Sequence, residues 1–393
     1  MSGVVVTGLG AVSPFGAGVK AFWNGLAAGA CAIRPVTLID AEGFRCRLAA
    51  EVPEPTPASR RRSRADALAV TAASEALEDA GLSPRERAGA ALVVGAVGGG
   101  MLEAEAWYWA RARAPQTPVD RRALRSILPS AHAEVLAGRF GVRGPRHTVV
   151  TACSSGAVAL AEAAQLIDEG VVDVALAGGV DAITRICFMG FNALKLLDPG
   201  PCRPFDIHRR GMSIGEGAAF VVLESEAHAR ARGARAWAAL AGWSMTTDAY
   251  HVTAPHPEGE GMVRAMRRAL ARAGVAPAEV DYANAHGTGT PQNDRIEGGA
   301  LRAVFGEGGL LVSSSKSMIG HTMAAAGSLE AVATVLALVQ QTVPPTANLE
   351  TPDPEVPFDC VPRRARDATL NCAISNSFGF GGQNVTLVLR RTP

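Results

Sequence analysis

Aromatic residues make up only 5% of this 393-residue chain, and its 38 Lys+Arg against 37 Asp+Glu leave a net charge of +1. That balance argues against a general nucleic-acid binder, although a local basic patch remains compatible with it. No C-x-x-C pair occurs among the seven cysteines, Cys31, Cys46, Cys153, Cys187, Cys202, Cys360 and Cys372, which argues against zinc and redox motifs. Odd in number and scattered, they make no disulfide framework, and a reducing cytoplasm suits them. Met1 to Gly10 lacks the basic start of a signal peptide. The uncharged stretch from Ala331 to Leu349 is broken by Gln340, Gln341, Pro344 and Pro345. It reads as a buried helix followed by a loop, with no membrane span.

What the chain has in quantity is apolar residues (48%) and 43 glycines. Short apolar runs at Val4–Val6, Ala90–Val94, Thr148–Val150, Val174–Ala177 and Ala218–Leu223 read as buried strands. Helical spacing marks Ala65–Ala80, Val158–Glu169 and Gly261–Ala273. The alternation predicts an α/β protein with a covered sheet. An internal echo supports two related halves. His147–Ala164 (HTVVTACSSGAVALAEAA) and Leu310–Ala333 (LLVSSSKSMIGHTMAAAGSLEAVA) each give a strand, a small polar turn and an Ala-rich helix. The halves are expected at residues 1–235 and 236–393, with Ser244–Gly261 as a loop and the basic run Arg60–Arg64 at an exposed helix start.

Four elements carry candidate chemistry. A strand running into Thr151-Ala152-Cys153-Ser154-Ser155-Gly156 places the Cys153 thiol at a helix N-terminus, where thiolate is favoured. A buried structural cysteine is the competing reading. His286, in Asn284-Ala285-His286-Gly287-Thr288-Gly289, follows a strand end, where open α/β sheets bind ligands; a structural histidine is the alternative. Lys316 precedes His321 by five residues, and Glu330 lies further along. A neutral imidazole can donate to a developing enolate oxygen, and Glu330 could orient the lysine. Last, Asn376-Ser377-Phe378-Gly379-Phe380-Gly381-Gly382 is a flexible turn whose N–H groups could help form an oxyanion hole, or a plain hairpin turn.

In this order the four elements resemble the elongating β-ketoacyl-carrier-protein synthases, Cys-His-His ketosynthases of the thiolase-like superfamily. Arg203-Pro204-Phe205-Asp206 and Gly215-Glu216-Gly217 match further landmarks. The resemblance covers the whole chain. It implies a thiolase-like fold of two pseudo-duplicated βαβαβαββ halves in α-β-α-β-α layers. It implies Cys153 as nucleophile, His286 and His321 as the decarboxylating pair and Lys316 as a support for His321. Cys153 and Phe380 N–H groups would form the oxyanion hole, with Phe378, Gly379 and Gly381 in a gating loop. Malonyl-carrier and acyl-carrier would be the substrates, phosphopantetheine belonging to the carrier, so neither cofactor nor metal is expected in this chain.

The acyl carrier protein is acidic, which nominates Arg60, Arg61, Arg62, Arg64 and Lys195 for docking. A homodimer or a heterodimer with a chain-length-factor-like subunit is expected, and Trp107, Tyr108 and Trp109 fall near its interface and the acyl tunnel. Arg209-Arg210-Gly211, Thr253–Gly259 and Thr290–Glu297 depart from housekeeping fatty-acid enzymes. They look more like ketosynthases of specialised polyene pathways, such as aryl polyene pigments. A non-catalytic scaffold like a chain-length factor, and an acyltransferase that does not decarboxylate, are the competing functions.

Overall fold

A computed structural model describes residues 3–53, 63–116 and 121–392. The apolar runs form strands β1 (Val4–Ser13), β2 (Ala91–Ala96), β3 (Arg146–Val149), β4 (Val174–Asp181) and β5 (Gly217–Ser225). After them come β6 (Ala238–Thr247), β7 (Tyr282–Asn284), β8 (Leu311–Ser313), β9 (Cys372–Gly379) and β10 (Gln383–Arg391). β1, β2, β4 and β5 are buried along their whole length. That fits continuous apolar runs without alternation, because both faces are covered.

The strand order is β8-β7-β9-β10-β6-β1-β5-β4-β2-β3, symmetrical about the β6–β1 seam. In each half the three outer strands are parallel, and the two nearest the seam are antiparallel. The first half runs β1, α1 (Arg64–Ala80), β2, α2 (Met101–Arg113), α3 (Ala131–Phe140), β3, α4 (Ser155–Asp168), β4, β5. The second runs β6, α6 (Glu260–Ala273), β7, α7 (Pro291–Phe305), β8, α8 (Ala326–Gln340), β9, β10, after α5 (Arg185–Ala193) in the connection. Leaving aside α2, the short helices Val19–Ala27, Pro84–Gly89, Glu226–Ala231 and Lys316–Ile319, and the short strands outside this order, each half reads βαβαβαββ.

Helices α4 and α8 pack on each other and on strands of both halves, forming the central layer with a shared apolar core. Helices α1 and α3 cover one outer face, and α6 and α7 the other. The result is the α-β-α-β-α layering. Two glycines show how closely the halves repeat. Gly8 and Gly242 each follow a bulge, in the β1–β5 and β6–β10 ladders. A Cβ at Gly8 would lie 2.2 Å from Ala76 O, and one at Gly242 2.3 Å from Ala269 O. Each close approach seats an outer helix.

Two expectations are corrected. Ser244–Gly261 is not wholly loop: Met245–Thr247 continue the ladder against Gln383–Val385, and α6 starts at Glu260. Arg64 is not on an exposed helix start. It is the first residue of α1, behind the capping box of Ser63 and Asp66, and its guanidinium is committed to buried Glu216 and to Val52 O (2.8 Å). Among the described residues one helical stretch, Met323–Gln340, is long and apolar enough to cross a membrane, and it lies in the core.

Candidate active site

The thiol sits on an elbow. After β3 the chain turns at Ala152, whose φ of 51° is left-handed, and Ala152–Ser154 makes one 3₁₀ turn before α4 begins. Small side chains close this turn on itself: Ser154 Oγ donates to Thr151 O (2.8 Å), and Thr151 N–H donates to Ser155 Oγ (2.9 Å). Gly379, at the end of β9, lies against the elbow, where a Cβ would stand 3.4 Å from Cys153 N. The expectation of an acidic thiol fails for the free chain. Burial pushes Cys153 up to about 11, and the N–H of Phe380, the Lys316 charge and the thiol's own N–H only partly oppose it. Desolvation outweighs the helix terminus because the thiol is almost wholly removed from water.

His286 and His321 face each other at 5.4 Å between ring centroids, nearly perpendicular. Burial holds both well below the usual imidazole range, and the Lys316 charge adds to it, so both are neutral at pH 7. Met323 N–H donates to His321 Nδ1 (3.2 Å), which assigns the proton to Nε2. That Nε2 is buried with no partner among the described residues. Lys316 Nζ lies 3.3 Å from His286 Nδ1 and donates to His286 O (2.6 Å), giving His286 the same tautomer. The site therefore holds two neutral N–H donors, an arrangement that can stabilise a developing oxyanion.

Lys316 thus braces His286, where the sequence suggested His321. Its partner is Glu330, hydrogen-bonded to Nζ, whose carboxyl burial pushes up to about 7. Two acids absent from the sequence-derived candidates complete the support. Glu297 takes the N–H groups of His286 and Gly287 (2.8 Å each), and Asp294 takes those of Gly289 (3.1 Å) and Phe205 (2.9 Å). The readable signal was their i, i+3 spacing on the helix that follows the His286 turn, which puts both on one face. Arg209 is buried and paired with Asp353 and Asp294.

A cavity of about 280 Å³ unites Cys153, His286, His321, Phe378, Gly379 and Phe380. Thr253–Pro255 and Pro291–Asn293 form part of its wall. Lys316 and Glu330 lie behind His286, and Gly381 ties the turn to Val252 O (2.9 Å). Phe380 packs on Phe191 at 5.8 Å. Lys195 is exposed beside Leu196 on the cavity wall, whereas Arg60, Arg61 and Arg62 lie outside the described residues. On α2, Tyr108 and Trp109 are exposed and Trp107 is half-buried. Among the described residues no cluster of three or more His, Cys, Asp or Glu could hold a metal ion.

Comparison with known proteins matches residues 1–229 to the Beta-ketoacyl synthase N-terminal domain and 237–350 to its C-terminal domain. A putative polyketide beta-ketoacyl synthase 1 of Streptomyces cyaneus is 42% identical, covering 98% of this chain and 97% of its own. A 3-oxoacyl-[acyl-carrier-protein] synthase 2 of Rhizobium meliloti (strain 1021) is 40% identical, covering 100% and 99%. A solved structure of the ishigamide ketosynthase/chain length factor matches all of both chains at 38% identity, with a TM-score of 0.95. Matched in both domains and along its whole length, this chain belongs to the β-ketoacyl synthase family.

Proposed function

We propose that this protein is an acyltransferase that lengthens carrier-bound acyl chains by decarboxylative condensation, in fatty-acid or polyketide assembly. The observation that carries it is one cavity holding a buried thiol and two neutral imidazoles, both directing Nε2–H donors away from bonded Nδ1 atoms. Acyl transfer alone needs the thiol and an oxyanion pocket; two further neutral donors fit an enolate.

The Cys153 sulfur attacks the acyl thioester of an acyl carrier protein. A new S–C bond forms, the carrier's C–S bond breaks, and the thiol proton leaves with the carrier thiol. The Cys153 and Phe380 N–H groups hold the thioester oxygen, with Phe378, Gly379 and Gly381 in the loop that admits substrate. Malonyl-carrier then binds with its thioester oxygen between His286 and His321. Its C–CO₂⁻ bond breaks, CO₂ leaves, and the electron pair becomes an enolate. The enolate carbon attacks the acyl-Cys153 carbonyl, forms the C–C bond and expels the sulfur, which takes a proton from solvent. Lys316, Glu330 and Glu297 position His286. The phosphopantetheine arm belongs to the carrier, and the chain needs no cofactor or metal of its own.

Lys195 is a docking candidate for the acidic carrier, exposed at the cavity's edge. The Tyr108–Trp109 face supports a dimer, with a second copy or with a chain-length-factor-like subunit. The test is intact-protein mass after exposure to acyl-carrier and then malonyl-carrier. An adduct discharged as 3-ketoacyl-carrier supports elongation. An adduct that malonyl-carrier leaves untouched points to a non-decarboxylating acyltransferase, and no adduct points to a scaffold subunit.

A further inference from the structure

The two halves repeat in register, and the repeat gives the Cys153 elbow a twin. In the ladders, Asp181↔Gly217 closes β4 against β5 as Gly379↔Gln383 closes β9 against β10. Asp181 therefore occupies in the first half the place of Gly379 in the second. The elbows correspond as well. Thr151-Ala152-Cys153-Ser154 precedes α4, and Thr322-Met323-Ala324-Ala325 precedes α8. Ala152 and Met323 are both left-handed, with φ of 51° and 52°. Ser154 N–H donates to Thr151 O (3.2 Å) and Ala325 N–H to Thr322 O (3.0 Å). Ala324 is the counterpart of the nucleophile.

At the working elbow a glycine stands opposite and leaves the Cys153 N–H open to a ligand. At the twin a carboxylate fills that place. Asp181 Oδ2 accepts from Ala324 N–H (2.9 Å), and Oδ1 accepts from Gly98 N–H (2.7 Å) and Val97 N–H (3.3 Å). The side chain is buried. Burial pushes its carboxyl up to about 6, and the three N–H donors oppose this, so it is mainly ionised at neutral pH. The N–H immediately before Ala324's, that of Met323, is the one that fixes the tautomer of His321. A left-handed, non-glycine Met323 is retained only where its surroundings over-determine it.

We propose that Asp181 is a positioning residue for decarboxylation: an internal oxyanion, seated in the twin's pocket, that pins the Met323–Ala325 turn and so aims the Nε2–H of His321 into the cavity. The proposal rests on the decarboxylating role given above to His321. It is separate from the nucleophile, because the pin lies on the twin elbow.

Asp181→Asn keeps the volume but presents one acceptor where two sets of N–H groups need them. CO₂ release from malonyl-carrier should fall on the order of 10–100-fold, in line with the cost of a small misplacement. Acyl loading of Cys153 should fall several times less. A crystal structure of the variant should show Met323 N beyond hydrogen-bond distance of His321 Nδ1. Equal losses in loading and CO₂ release, or none, overturn the proposal, as does an unmoved turn. Should the wild type release no CO₂, the reaction itself is wrong, and the position of the turn in the variant still decides the role of Asp181 as its pin. Asp181→Ala, read in the same way, serves if the asparagine variant does not fold.

Discussion

The elbow at Cys153 and its twin at Ala324 share a left-handed residue just before the tip, Ala152 and Met323, and a glycine as the second residue of the following helix, Gly156 and Gly327. Between them the decisive exchanges are few: thiol for methyl at the tip, and hydrogen for a carboxylate opposite, at Gly379 and Asp181. One pocket is open to substrate and the other is sealed by the protein's own oxyanion. A duplicated scaffold thus yields a single reaction centre, and the sealed copy is available to hold the histidine turn.

Making the working pocket resemble its twin should have the largest effect. Gly379→Asp places a carboxylate beside the Cys153 N–H, and acyl loading, followed by intact mass, should drop on the order of 100–1,000-fold, as for a lost oxyanion hole. Glu297→Gln leaves one carboxamide oxygen to brace two N–H groups of the His286 turn. Decarboxylation should fall about 10-fold with loading less affected, as expected for a displaced positioning group. Gly8→Ala and Gly242→Ala test the repeat away from the chemistry. Each added methyl meets a helix carbonyl at nearly the same distance, so chemical denaturation should show similar losses of roughly 1–3 kcal/mol. A large inequality would break the equivalence of the halves.

The smallest effect is in pH dependence. The folded thiol pKa of about 11 means alkylation of Cys153 by a neutral electrophile should keep rising through pH 9–10, levelling only near that value. Both imidazole pKa values are depressed, so the histidines stay neutral as pH falls to 6.5 and charge only well below it. The decarboxylation rate should accordingly be flat through that range.

Cys153, His286 and His321 could be named because the segments that carry them resemble one family in order along the chain; taken singly, Cys153 and His286 each left a structural reading open. The repeat was legible in Ala-rich helices following short strands. What escaped the sequence depends on long-range pairing. Arg64 reads as part of a basic run until Glu216, 152 positions later, takes its guanidinium. Lys316 lies near His321 in sequence, but the chain turns its ammonium to His286. Asp181 meets Ala324 across 143 positions, through the contact between the halves, which no local pattern reveals. The acidity of Cys153 was misjudged for a related reason: helix position is local, whereas burial depends on the whole fold.

The central claim is that one half supplies the nucleophile and the other the decarboxylating pair. It is tested most directly by measuring acyl adduct and CO₂ release in parallel for Cys153→Ala and His321→Ala. The predicted result is a crossed pattern: Cys153→Ala carries no adduct yet still releases CO₂ from malonyl-carrier, and His321→Ala carries the adduct but releases CO₂ at least about 100-fold more slowly. Loss of both activities in both folded variants, or CO₂ release that survives removal of His321, would contradict it.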